Sequence, residues 1–278
     1  MFEKVLYPTD FSDVSMHALR TCIPKLVPMG IKELYLIHVV DITVVEFEAF
    51  ELEETYREKL EGLAEELRRD GLKVEAIVRV GIPSMEIAET AEEKSIDLVV
   101  IPSVGENIWR TMFVGSTASN LARATERPVL LLKYVKSGDD FKLSVDCTEV
   151  FRRPLVALDF SNCSIKVLRI VREFEELVEK GILLHSVDYG GMDELEHNIE
   201  LAKKNLEKSV RGLRARFEAE VMVGSASQAI IGTSLTKNAT LIVIGKKGRS
   251  FIKDLLLGST AERVIRDSKV PVLLVPCD

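Results

Sequence analysis

The chain repeats itself. Val5-Leu6-Tyr7-Pro8-Thr9-Asp10-Phe11-Ser12-Asp13 returns as Leu155-Val156-Ala157-Leu158-Asp159-Phe160-Ser161-Asn162. Leu36-Ile37-His38-Val39-Val40-Asp41 returns as Leu183-Leu184-His185-Ser186-Val187-Asp188, and Val80-Gly81 as Val223-Gly224. Gly115-Ser116-Thr117-Ala118 matches Gly258-Ser259-Thr260-Ala261, and Arg127-Pro128-Val129-Leu130-Leu131 matches Val270-Pro271-Val272-Leu273-Leu274. The offsets are 149, 147 and then 143 to the end, so the final third of each copy aligns without a gap. Five matches in the same order mean a tandem duplication, and the fold of one copy is the fold of both.

Within a copy, short apolar runs bounded by turn residues read as strands buried on both faces: about Lys4–Pro8, Glu33–Val40, Leu72–Val80, Leu98–Ile101 and Val129–Lys133. Helical patterns fall between them, at Ser12–Val27, Val45–Arg69, Ser84–Lys94 and Ser116–Thr125. Strands alternating with helices predict an α/β fold: a parallel sheet with right-handed crossovers and helices on both faces. Five strands per copy suggest a doubly wound sheet whose ligand lies at the carboxyl ends of the strands. Residues 1–137 and 151–278 are the expected domains, with the polar segment 138–150, containing Gly138-Asp139-Asp140, as the linker.

Composition removes several function classes. No apolar run approaches the roughly 18 residues that span a bilayer, and Met1-Phe2-Glu3-Lys4-Val5 does not open like a signal peptide. The formal charge of −7 argues against generic nucleic-acid binding. The charge is uneven, −10 over residues 1–150 and +3 over 151–278; the acidic stretch Glu46–Glu66 reads most simply as a solvated helix face. Cys22, Cys147, Cys163 and Cys277 show no CxxC spacing. They read as neither a zinc pattern nor a disulfide framework, and point to a reducing cytoplasm.

One loop carries chemistry. After its fourth strand the second copy reads Gly245-Lys246-Lys247-Gly248, nine further residues, then Gly258-Ser259-Thr260 before a helix. Glycines let backbone N–H groups approach an anion and adopt positive φ, and a helix start adds unpaired donors. Lys246, Lys247, Arg249 and Lys253 make the surroundings electropositive. The alternative is that Gly248 and Gly258 only turn the chain while Ser259 caps the helix. The loop is neither a Walker loop nor a GxGxxG turn after a first strand.

Gly245-x2-Gly248-x9-Gly258-Ser259, with Asp159 ending the first strand, His185-Ser186-Val187 after the second and a terminal Pro-Val strand, resembles the ATP-binding pattern of the universal stress protein family. The resemblance covers both copies. It implies two Rossmann-like domains of strand order 3-2-1-4-5 and a stress-response regulatory protein binding ATP or AMP, with Mg²⁺ accompanying ATP. By that resemblance Asp159 lies near the adenosine and Val187 offers backbone groups to adenine. Gly245, Gly248, Arg249, Gly258, Ser259 and Thr260 follow the ribose and phosphates. Asp159 also reads as a cap for the helix beginning near Ser161. His185, without a placed partner, reads as packed rather than catalytic.

The first copy departs from the pattern. It has Pro102 for Gly245, with φ fixed and no N–H, and Val104 and Glu106 for Lys247 and Arg249. A weaker second site would use Asp10, Val39, Gly105, Gly115 and Ser116. No nucleophile elbow, metal-binding HExxH or pyrophosphatase loop is present. Three functions follow: a nucleotide-binding regulator, a slow ATPase or phosphotransferase, or a nucleotide-free dimerising scaffold. The glycine loop favours the first. The Pro-Val-Leu-Leu edge strands suggest an internal pseudo-dimer of the domains, a homodimer, or both, alongside unknown protein partners.

Overall fold

The computed structural model describes residues 2–43, 49–68, 71–104, 114–137, 140–188, 190–248 and 257–277. The chain divides into two units, Met1–Leu143 and Ser144–Asp278.

In the first unit β1 (Lys4–Pro8) leads to α1 (Asp13–Thr21), α2 (Ile23–Leu26) and β2 (Glu33–Asp41). There follow α3 (Ala49–Arg68), β3 (Lys73–Gly81), α4 (Pro83–Glu93), β4 (Leu98–Val104), α5 (Val114–Ala124), β5 (Val129–Ser137) and β6 (Asp140–Leu143). The strands lie in the order β3-β2-β1-β4-β5, all parallel, with β6 antiparallel to β5. The segment 138–150 thus holds a strand, and its Cys147 and Val150 are fully buried. Residues 12–27, expected as one helix, are broken after Thr21. Pro24 has no N–H for the ladder, and its ring would collide with the carbonyl one turn back.

The second unit runs β7 (Pro154–Ala157), α6 (Asn162–Glu173), β8 (Gly181–Val187), α7 (Met192–Arg211), β9 (Phe217–Val223), α8 (Ala226–Thr236), β10 (Leu241–Gly245), α9 (Ser259–Asp267) and β11 (Val272–Val275). Its order is β9-β8-β7-β10-β11, again all parallel. Both units therefore have the 3-2-1-4-5 order. Right-handed crossovers put α6 and α7 on one face and α8 and α9 on the other, so the helices after β7 and β10 leave in opposite directions. Every residue of β8 is buried, whereas edge strand β9 is largely open. Among the described residues no helix is long and apolar enough to cross a membrane.

One local device recurs in both units and positions the residue that follows β1 or β7. His38 Nδ1 lies 2.8 Å from the Thr9 carbonyl, and His185 Nδ1 lies 2.7 Å from the Leu158 carbonyl. A carbonyl only accepts, so Nδ1 carries the proton in each ring. The next aromatic, Phe11 or Phe160, has φ of 59° or 61° and packs on that ring at 4.7 or 4.4 Å. A left-handed backbone costs a bulky residue roughly 1–2 kcal/mol. The ring contact and the histidine bond hold it there. In the first unit Tyr56 of α3 stacks on Phe11, and Lys59 sits 4.0 Å above the same ring.

Burial pushes the His38 imidazolium below its ordinary 6.5, assisted by Lys59 and opposed by the Thr9 carbonyl and Asp10. The unfolded chain then binds the proton more readily than the folded one, so this contribution to stability is whole above about pH 6.5 and is lost as pH falls below it. His38→Gln should show a flatter melting temperature between pH 7 and 5 than the parent. Parallel slopes in a thermal-melt series would contradict the assignment.

Candidate functional site

At the carboxyl end of β10 the loop is stitched to its neighbours by backbone groups. Lys246 N–H donates to the Val275 carbonyl at 2.7 Å, and the Lys246 carbonyl accepts from Gly258 N–H at 2.8 Å. Gly258 is the N-cap of α9 with extended backbone and makes no side-chain cap. Ser259, expected as a possible cap, is instead the first helical residue. The amides of Ser259, Thr260 and Ala261 open the helix, and the first intrahelical bond runs from Glu262 N–H to the Gly258 carbonyl at 2.9 Å.

The glycines matter for space rather than for positive φ. Gly245, Gly248 and Gly258 are not among the residues with positive φ, which corrects the sequence expectation. A Cβ on Gly248 would stand 3.0 Å from Asp159 Oδ2, and one on Gly258 3.4 Å from the Lys246 carbonyl. A Cβ on Gly245 would stand 2.3 Å from Cys163 Sγ, closer than side chains tolerate. Gly245 thus has a packing reason of its own, apart from any phosphate.

Asp159 is half-buried and tightly held. Its Oδ1 accepts from Ser161 N–H (3.0 Å), Ser161 Oγ (2.6 Å) and Ser164 Oγ (2.9 Å), while its own N–H donates to Ser164 Oγ at 3.1 Å. Ser161 is the N-cap of α6 but makes no side-chain cap itself, so the Asp159 carboxylate serves the helix start. The turn is an Asx turn. Asp159, Gly245, Gly248, Gly258, Ser259 and Thr260 all line one cavity of about 400 Å³. Lys246 and Lys247 are on its wall, and Val167, Ala226 and Ile230 give it an apolar side.

Val187 stands elsewhere. Its side chain is buried, its carbonyl accepts from Gly224 N–H at 3.0 Å, and its neighbours Ser186 and Asp188 border the cavity instead. Arg249 and Lys253 lie outside the described residues, as do Gly105 and Glu106 of the first unit. There Asp10 is exposed and bonds Ser12 N–H at 3.0 Å and Ser12 Oγ at 2.6 Å. Ser15 Oγ turns to Thr9 Oγ1 (2.9 Å), where Leu158 in the second unit has no hydroxyl to compete for Ser164. Val39 is half-buried in β2, and Gly115 and Ser116 belong to α5. β4 continues through Pro102 to Val104, paired with Tyr134, whereas β10 stops at Gly245.

The sequence reading missed that all four cysteines, Cys22, Cys147, Cys163 and Cys277, are disulfide-bonded. Cys163 in the first turn of α6 and Cys277 beyond β11 are bonded, 114 residues apart, so the expectation of no disulfide framework is corrected. Sequence spacing carries no sign of it. The strand order does, because β7 and β11 flank β10 and bring both cysteines to its carboxyl end. Cys277 Sγ accepts from Lys247 N–H at 3.2 Å, tying the bond to the loop.

The sequence profile of the Universal stress protein family matches residues 1–133 and again residues 144–276. The chain belongs to that family, with two of its domains in tandem. Universal stress protein MJ0577 of Methanocaldococcus jannaschii is 31% identical over 156 residues, covering 48% of this chain and 96% of the relative. MJ0531 of the same organism is 30% identical over 145 residues, covering 49% of this chain and 85% of its own. The crystal structure of a universal stress protein from Archaeoglobus fulgidus covers 99% of this chain and 96% of its own with a TM-score of 0.74. At 23% identity that likeness is one of fold.

The crowding at Gly245 yields a double-mutant test. Gly245→Ala should destabilise the disulfide-bonded protein by about 1–3 kcal/mol through overpacking. The same change should cost less in a Cys163→Ala/Cys277→Ala background, where the sulfurs are gone. Equal losses in both backgrounds, measured by denaturant unfolding, would show that the sulfur is not what Gly245 accommodates.

Proposed function

We propose that this member of the universal stress protein family is a stress-response regulator that binds an adenine nucleotide, ATP or AMP, mainly in its second unit. The observation that carries the reading is the meeting of Asp159, the Gly245–Gly248 loop and the amino end of α9 in one cavity. Its volume falls within the roughly 300–1,000 Å³ of small-ligand sites. An anion at the start of α9 gains from the open amides of Ser259, Thr260 and Ala261 and from the helix dipole. Lys247 adds positive charge, and Ser259 and Thr260 add hydroxyls. The oxygens of the Asp159 carboxylate can accept hydrogen bonds, which suits ribose hydroxyls or an exocyclic amine. Val167, Ala226 and Ile230 supply apolar surface for a base.

Mg²⁺ would arrive with the phosphates. Such ions commonly take one or two protein carboxylates plus substrate oxygens. Among the described residues no three His, Cys, Asp or Glu side chains gather as a metal site. In the first unit Pro102 within the β4 ladder and the altered Ser15 partner leave a poorer site, and any binding there is weak. His185 is committed at Nδ1 to Leu158 and stacked on Phe160, a packing role that fits regulation better than turnover.

Isothermal titration of the whole chain with ATP and AMP should show one tight site per chain. Two equal sites would overturn the asymmetry, and no binding of either would overturn the nucleotide reading. Hydrolysis should stay far below the enzyme median of about 10 s⁻¹; a turnover above about 1 s⁻¹ would move the protein to the enzyme class.

A further inference from the structure

The Cys163–Cys277 disulfide borders the cavity at the point where the loop leaves β10. Cys163 lines the cavity, and Cys277, half-buried, receives the Lys247 amide. Gly245 has no side chain because Cys163 Sγ occupies that space. Three elements are thereby tied at one spot: the start of α6, the tail after β11 and the glycine loop.

This bond is not a general staple of the fold. The repeat offsets place Val14 and Tyr134 of the first unit at the positions of Cys163 and Cys277. There a strand pair, Val104 with Tyr134, stands where the second unit has the Lys247 amide on sulfur, and Tyr134 Oη lies 2.8 Å from His17 Nδ1. The disulfide accompanies the glycine loop, in the unit whose β10 stops short.

We propose that the Cys163–Cys277 bond is a thiol-exchange site that sets nucleotide affinity: the disulfide form holds the loop ready, and reduction by a dithiol releases it. The inference rests on the nucleotide reading above. In the exchange, one thiolate of the dithiol attacks a sulfur of the bond and forms a mixed disulfide, displacing the other cysteine as thiolate. The second dithiol sulfur then closes on the first, freeing the remaining cysteine. The dithiol loses two electrons and two protons and becomes a cyclic disulfide, and Cys163 and Cys277 become two thiols. Two unbonded sulfurs need more separation than a bonded pair, and Gly245 lies directly against them. Reduction therefore disturbs the loop and unties the residue-277 tail from α6. A loop that must be ordered at binding loses affinity, here by roughly tenfold.

Linkage makes the effect reciprocal. If reduction weakens nucleotide binding tenfold, saturating nucleotide favours the disulfide tenfold, which is about 30 mV for a two-electron couple. The test uses the full chain, titrated with ATP and AMP before and after dithiothreitol, with alkylation and mass spectrometry to count thiols at Cys163 and Cys277. The expected result is roughly tenfold weaker binding after reduction, and less reduction at these two cysteines when nucleotide is present. Cys163→Ser/Cys277→Ser should bind like the reduced parent in both conditions, which separates this bond from the other cysteines. Affinity within twofold in both states, or tighter binding after reduction, overturns the proposal. If the disulfide-bonded parent binds neither nucleotide, the functional reading falls and this proposal falls with it.

Discussion

Each unit depends on the covering of parallel strands from both sides. Parallel neighbours need long crossovers, the crossovers here are helices, and helices on both faces leave the strand ends and the edge strands as the open parts of the sheet. With the 3-2-1-4-5 order, the helices after β7 and β10 depart to opposite faces, and a crevice must open between those strand ends. Asp159 and Gly245 end up on either side of it because Asp159 follows the end of β7 by two residues and Gly245 ends β10. The cavity is thus a consequence of topology before it is a consequence of any particular side chain.

The duplication preserved the devices that hold this edge in shape. Phe11 and Phe160 share the left-handed backbone, and so do Ser95 and Asn238 after α4 and α8, with φ of 52° and 51°. The buried histidine bonds the same carbonyl position in each unit. These conformations cost energy, and their recurrence shows that the surrounding packing over-determines them. The parts that differ lie toward the carboxyl ends of the strands, where the cavity of the second unit opens. Thr9 against Leu158 redirects a serine hydroxyl, Pro102 against Gly245 extends a strand, and Val14 and Tyr134 stand in place of the bonded cysteines.

Much of the fold was legible in the sequence. The apolar runs mark the strands to within a few residues, since burial on both faces leaves each strand continuously apolar. Strand order was not readable from periodicity and came through the family resemblance. The break after Thr21 is legible in Pro24, which lies within the expected helix 12–27 and has no N–H for its ladder. Of the two uses read for the glycines, positive φ is absent at Gly245, Gly248 and Gly258, and the space they leave is taken up by Asp159, Cys163 and the Lys246 carbonyl.

The sequence by itself determined the duplication, the α/β alternation and the spacing of Gly245, Gly248 and Gly258, with Asp159 joined to them through the family resemblance. These are properties of order and residue type, which a linear chain records directly. Only the tertiary structure decided which atoms meet. Ser164 turns to Asp159 because no hydroxyl stands at residue 158, Val187 is committed to the β8–β9 ladder, and Cys163 finds Cys277 across 114 residues. Contacts between segments far apart in the chain depend on strand order and on the space side chains leave, and neither is written in local spacing.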